Sequence, residues 1–375
     1  MWLSVVPGAP VEDLASALID IPSVSGDERA ITDQIEAVLR GVSHLEVLRL
    51  GNALVARTTL GRAERVIVAG HVDTVPIKDN VPSVRSEDGE WIIGRGSVDM
   101  KCGIAVQLAL AVELESPTRD VTWVFYDQEE VEEPRNGLGR IARERPELLA
   151  GDFAILGEPT SAVIEGGCNG TLRVEVTVHG RAAHSARSWK GINSIHGVAP
   201  FLAALAVYEH EDVEVDGLIF REGVNAVGIT GGIAGNVVPD VCTVTINYRF
   251  SPAWTIDEAK RRVARLITTS FEKSPAPVGQ SVTWVYTDEA AAARPGLDAP
   301  MAIAFAEAVA ATGAPPPRAK LGWTDVARFG QLGIPAVNFG PGDPERAHAD
   351  DERCPIDDVR RCHAALRDWL TAPTS

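Results

Sequence analysis

Long apolar runs are missing from this chain. No stretch of its 375 residues approaches the ~20 apolar residues that a membrane helix needs. Met1–Pro10 has neither a basic start nor a long apolar segment. No signal peptide is therefore expected, and the reading is a cytoplasmic protein with no membrane partner. Cysteine is scarce: Cys102, Cys168, Cys242, Cys354 and Cys362 are odd in number, and none form a C-x-x-C pair. Reduced thiols are expected rather than a disulfide framework. Positive charge is also short, with 35 Lys and Arg against 52 Asp and Glu and a net charge of −17. That argues against nucleic acid and anionic membranes, both of which need a basic face. A small anionic substrate stays open, because metal ions and a few arginines reverse the field inside a cleft. Two nucleophile and nucleotide signatures are absent as well. There is no G-x-S-x-G elbow and no G-x-x-x-x-G-K-[ST] loop. Ser97, Ser185 and Cys102 have no evident base beside them.

What is present is a chain long enough for two domains, with an ordinary 45% apolar content. Helical patterns at Val11–Ile21, Asp27–Arg40, Met100–Glu115 and Gly137–Glu144 are interspersed with strand-like runs. Those runs are Leu45–Leu50, Ala53–Thr58, Val66–Gly70, Val121–Tyr126 and Phe153–Leu156. This predicts an α/β fold whose mixed, mainly parallel sheet is covered on both faces. In Met100–Glu115 the apolar residues Ile104, Leu108, Ala111 and Leu114 fall on one face, with Asp99 placed to cap the helix.

From Thr171 the period changes. Leu172, Val174, Val176 and Val178 alternate with polar residues, as in a half-buried strand. A helix at Ile192–Tyr208, strands at Asn225–Ile229 and Cys242–Phe250, a helix at Ile256–Phe271 and a strand at Ser281–Thr287 follow. The order β-α-β-β-α-β is that of a ferredoxin-like domain. Helix Ala299–Ala311, strand Ala336–Phe339 and helix Asp357–Leu370 then return to α/β character. The predicted architecture is a discontinuous domain, residues 1–170 and 288–375, with a ferredoxin-like domain inserted at 171–287.

Five residues suited to metal ligation punctuate the larger domain: His71, Asp99, Glu130, Glu158 and His348. Four lie past the runs Val66–Gly70, Val121–Tyr126, Phe153–Leu156 and Pro335–Phe339. In open α/β sheets the carboxyl ends of the strands line the binding crevice, so these residues are expected to converge. Singly, each reads equally as a loop or capping residue. Together they suit two ions sharing Asp99, each with one His, one Glu and an open position for water. Asp73, two residues past His71, is placed to orient that imidazole. Glu129 and Glu130 are neighbours that point to opposite sides of an extended segment, so one can bind metal while the other faces substrate as a general base.

The motifs GHVDTVP (70–76), GRGSVDMK (94–101), the Glu129–Glu130 pair, GEPT (157–160) and His348 resemble those of the dizinc aminoacylase/carboxypeptidase hydrolases. Longer stretches resemble the members that act on small N-acylated diamino acids: FYDQEEVEEPRNGLGR (125–140), GEPTSAVIEGGCNGTLRVEV (157–176), GNVVPD (235–240), KLGWTDVARF (320–329) and AVNFGPGDPERAH (336–348). The resemblance implies two Zn2+, with Co2+ an alternative at either site. His71 and Glu158 would hold one ion and Glu130 and His348 the other, with Asp99 between them. Glu129 would be the general acid/base. The insert would be the dimerisation domain, and His184 would stabilise the oxyanion in the partner's site of a homodimer. Arg249, Asn236 and Arg328 would anchor substrate carboxylates. Arg249 also stands out in the residue pattern, because it alternates with apolar Tyr248 and Phe250 and so projects from the polar face. The run Trp323-Thr324-Asp325 departs from the Thr-Ser-Asp that many relatives carry, which leaves the acyl group open. Other N-acyl-amino-acid deacylases and dipeptidases on the same scaffold are the alternatives. A non-catalytic binder would have no use for Glu129.

Overall fold

The computed structural model describes residues 3–273 and 277–373. The chain divides into two compact units. The first runs through Gly167, resumes over Pro295–Arg318 and continues from Thr324; the second comprises Cys168–Arg294 and Ala319–Trp323.

The first unit is built on a mixed sheet. Its strands run in the order Glu46–Leu50, Ala53–Arg57, Asp120–Tyr126, Arg65–His71, Phe153–Leu156, Ala336–Asn338 and Glu165–Gly166. Arg65–His71 pairs in parallel with Asp120–Tyr126 on one side and Phe153–Leu156 on the other, and Ala336–Asn338 is parallel to Phe153–Leu156. The remaining pairings are antiparallel. Every residue of Asp120–Tyr126 and Phe153–Leu156 is buried, as expected for strands covered on both faces.

The helix at Lys101–Glu113 corrects the one-face reading. Residues 101–108 are all buried, including Lys101 and Gln107, and so are Leu110 and Ala111. Small residues such as Cys102, Gly103, Ala105 and Ala111 let it pack at once against Val11–Ile19, Ile356–Thr371 and the sheet. Nor does Asp99 cap this helix. Met100 occupies the cap position and makes no side-chain capping bond, while the Asp99 carboxylate is drawn to two imidazoles.

The second unit holds a five-stranded antiparallel sheet, ordered Glu211–Val215, Leu218–Gly231, Val241–Phe250, Gly170–His179 and Ser281–Ala290. Without its first strand this is the ferredoxin-like order. Leu172, Val174, Val176 and Val178 share a buried face with Val244, Ile246 and Phe250, closed by Phe201 and by Val263 and Ile267 of helix Ile256–Glu272. Two local expectations fail. The predicted helix Ile192–Tyr208 is two shorter ones, Ser194–Gly197 and Ala199–Ala206, because Pro200 has no N–H to continue the ladder and instead opens the second helix. The strand Glu211–Val215 was not anticipated. It joins Leu218–Gly231 through Asp216-Gly217, both at positive φ, the two-residue hairpin turn that an Asp-Gly pair favours.

Candidate metal centre

Three parallel strands end on one edge of the sheet of the first unit. His71 closes the central strand opposite Tyr126, and Leu156 lies beside Ala69. The loops carrying Glu129 and Glu130, and the loop carrying Glu158, therefore leave from the same edge as His71. Gly103 brings the helix after Asp99 to that edge. A Cβ there would lie 2.2 Å from the Gly157 carbonyl, so only glycine allows the helix to touch the loop before Glu158.

The Asp99 carboxylate stands between two imidazoles. Its Oδ1 is 2.9 Å from His71 Nε2, and its Oδ2 is 3.4 Å from His348 Nε2. His348 Nε2 also lies 3.0 Å from Glu130 Oε1. The ligand atoms of His71, Asp99 and Glu130 are all within 4.8 Å of one another. Glu158 is buried but does not join that three-residue group among the described residues. His348, at positive φ and half-exposed, closes the cluster from the far side of Asp99.

Asp73 does more than orient His71. The His71 Nδ1–H donates to the Asp73 backbone carbonyl at 3.1 Å, and the Asp73 carboxylate lies at 3.5 Å. A carbonyl only accepts, so Nδ1 carries the proton and Nε2, the nitrogen facing Asp99, is left to take a cation. The fully buried carboxylate of Asp73 receives the backbone N–H groups of Glu129 at 3.0 Å and Glu130 at 3.1 Å, and the Ser25 hydroxyl at 2.6 Å. Asp73 thus sets the histidine tautomer through its backbone carbonyl, not through its carboxylate as the sequence suggested, and fixes the peptide of the adjacent glutamates through its carboxylate.

The electrostatics match a cation site. Burial disfavours a charged His71, but the bonds to Asp73 and Asp99 outweigh it and raise its pKa well above the ordinary value. Asp99 and Glu130 hold the His348 pKa up to about 10. Burial pushes Asp99 up, yet His348 and then His71 bring it below the usual carboxylate range. Burial raises Glu130, with Asp99 adding to it and His348 opposing. Burial also raises Glu129 well above its ordinary value; His71 opposes this, while Glu158, Asp325 and Glu130 add to it. Protons are held firmly where imidazole and carboxylate lone pairs converge, and divalent cations compete for those same lone pairs. The donor set of two imidazoles and clustered carboxylates therefore fits hard-to-borderline divalent ions.

The other candidate residues divide by unit. Arg328 is buried on helix Val326–Gln331, where Asp325 engages it and Glu133 receives it at 2.8 Å. It therefore ties the loop after Glu130 to this helix. Asn136 strengthens that latch by donating to Asp325 at 2.9 Å. In the second unit His184 and Asn236 are neighbours. Strand Ala183–His184 pairs with Val237–Val238, and the Ser185 N–H donates to the Asn236 carbonyl at 2.9 Å. His184, Asn236 and Arg249 are all exposed. Sequence reading missed Ser25, Arg95 and Glu352. Arg95 lies in GRGSVDMK and Glu352 four residues past His348, so their proximity to proposed ligands was the available signal.

The parallel strands of this mixed sheet bring the donor set together as a metal-dependent hydrolase needs, and the chain belongs to peptidase family M20/M25/M40, whose model matches residues 67–372. It is 50% identical over 364 residues to a Mycobacterium tuberculosis protein provisionally named succinyl-diaminopimelate desuccinylase DapE, covering 97% of this chain and 98% of that one. It is 45% identical to the succinyl-diaminopimelate desuccinylase of Corynebacterium glutamicum over 96% and 95% of the two chains. Acetylornithine deacetylase of Myxococcus xanthus is 30% identical over 96% and 91%. Among solved structures, a tripeptidase of Staphylococcus aureus shares the fold with a TM-score of 0.77 at 19% identity over 98% and 99% of the chains. The Bacillus subtilis YXEP protein, described as a dinuclear metal-binding peptidase, does so at 0.70 and 15% over 96% of each.

Proposed function

We propose that this enzyme is a succinyl-diaminopimelate desuccinylase, hydrolysing N-succinyl-LL-2,6-diaminopimelate to succinate and LL-2,6-diaminopimelate in lysine and diaminopimelate biosynthesis. The observation that carries the reading is whole-length identity of 50% and 45% to two proteins of that name, against 30% to an acetylornithine deacetylase. The geometry supports the chemistry independently, through an Asp99 whose two oxygens face two different imidazoles.

His71 and Glu158 would hold one divalent ion, and Glu130 and His348 the other, with Asp99 shared. Zinc is the assigned metal, with cobalt a substitute. Bound there, two such ions would supply Lewis acidity toward water and the scissile carbonyl. Glu129 takes the proton from the attacking water and passes it to the leaving amine. Its raised proton affinity suits that exchange, and Asp73 fixes its peptide. Arg249, with Asn236, is assigned to the substrate carboxylates; Arg328 would join them only by giving up its bond to Glu133. His184 is assigned to the oxyanion in a partner copy, in a homodimer formed through the second unit. None of the five cysteines forms a disulfide, and among the described residues no helix is long and apolar enough to cross a membrane. A cytosolic location agrees with both.

The test couples metal quantification to turnover of N-succinyl-LL-diaminopimelate and N-acetylornithine. The expected result is two equivalents of divalent metal and a preference for the succinyl substrate of about 100-fold or more in kcat/KM. Better turnover of the acetyl substrate would overturn the assignment.

A further inference from the structure

The segment after His348 carries a carboxylate with no part in the proposed reaction. Glu352 is 1% exposed, yet donors surround both its oxygens. Oε1 accepts the backbone N–H of Val98 at 2.8 Å and of Asp99 at 3.1 Å. Oε2 accepts the N–H of Gly96 at 3.0 Å and the Arg95 guanidinium at 2.8 Å. Arg95 is itself buried, and donates onward to the carbonyls of Pro76 and Ala349, each at 3.1 Å. One buried ion pair therefore reaches three loops: the one that follows His71, the one that carries Asp99 and the one that carries His348. Its neighbour Asp350 contrasts with it, lying exposed against Lys78.

A buried charge is tolerated only when its lone pairs are met, and it is then held in one geometry. Here that geometry is imposed on the loop Gly96–Asp99, whose last residue aims one oxygen at each imidazole. We propose that Glu352 is a positioning residue for Asp99. It holds the Asp99 peptide so that both carboxylate oxygens stay aimed, and it thereby sets the affinity of the site for divalent cations without touching them. The proposal rests on the reading of Asp99 as the shared ligand.

The experiment is zinc titration of the full-length protein against a chromophoric chelator, at a temperature where each metal-free form is folded. Wild type, E352Q, E352D, D350A and D99A are compared. E352Q leaves one oxygen and sets an NH2 against one of the two donor pairs, Arg95 with Gly96 or Val98 with Asp99. E352D keeps the charge but withdraws it by one methylene, so the loop amides and Arg95 are no longer all in reach. Both are expected to bind zinc about 10- to 100-fold more weakly than wild type, while D350A binds as wild type does. At saturating zinc, kcat falls and KM for the acyl substrate is unchanged. If E352Q does not fold, E352D decides alone. E352D binding within about twofold of wild type, with only its melting temperature lowered, would overturn the proposal. D99A binding zinc as tightly as wild type would refute the shared-ligand reading, and the proposal with it.

Discussion

In the first unit the groups that support the candidate ligands lie inside, Asp73, Arg95 and Glu352 each no more than 2% exposed, and so does His71, while His348 alone of the candidate ligands is half-exposed. In the second, His184, Asn236 and Arg249 lie at the surface. Where the second unit does bury an acid, Glu222, the charge is consumed locally by the Tyr248 hydroxyl, the Ser251 N–H and the Trp254 indole. The contrast separates two ways of using polar side chains. The first unit fixes its groups in advance through bonds to backbone and to one another, as electrostatic catalysis requires. The second presents His184, Asn236 and Arg249 at its surface, where the proposed recognition of substrate would use them. Chemistry and affinity should therefore respond differently to substitution in the two units.

The largest expected effect is from metal removal. Dialysis against a chelator should abolish hydrolysis of the succinyl substrate and zinc should restore it; undiminished turnover of metal-free protein would break the contrast at its root. Next, Glu129→Gln should lower kcat by about 10²- to 10⁴-fold while zinc content, read by atomic emission, stays at the wild-type level. Ser25→Ala removes the hydroxyl that donates to Asp73 and should cost about tenfold in zinc affinity. An unchanged affinity would mean that the buried support of Asp73 is redundant. The smallest effect on chemistry should come from the second unit. Arg249→Met should raise KM about 10- to 100-fold with kcat within about threefold and the melting temperature unmoved. A collapse of kcat with KM intact would erase the distinction between the two units.

The parallel core was legible because buried strands are continuous apolar runs: Val121–Tyr126 and Phe153–Leu156 could hardly be placed elsewhere. The convergence of His71 and Glu130 followed from strand-end logic, which needs only chain direction, whereas Asp99 precedes a helix and entered as the shared carboxylate that two ions would need. Burial around the whole circumference was not legible. The helix at Lys101–Glu113 shows an apolar stripe whether one or several of its sides are covered, and only the packed neighbours decide. The ion pairs of Arg328 were not legible, because a guanidinium reads the same in sequence whether Asp325 and Glu133 engage it or a substrate does. Glu352 was hidden in an acidic run with Asp350 and Asp351, where solvated charge is the ordinary expectation. The Glu211–Val215 strand could have been found, since Asp216-Gly217 announces a hairpin, but Val213 and Val215 make an alternation of only two apolar residues among three acids.

The central claim is that Asp99 is shared between two cations. Anomalous diffraction at the zinc edge from crystals of the zinc-loaded enzyme tests it directly. Two peaks are predicted, one beside each Asp99 oxygen and about 3.5–4 Å apart. A single peak, or two peaks with Asp99 next to neither or only one, would contradict it.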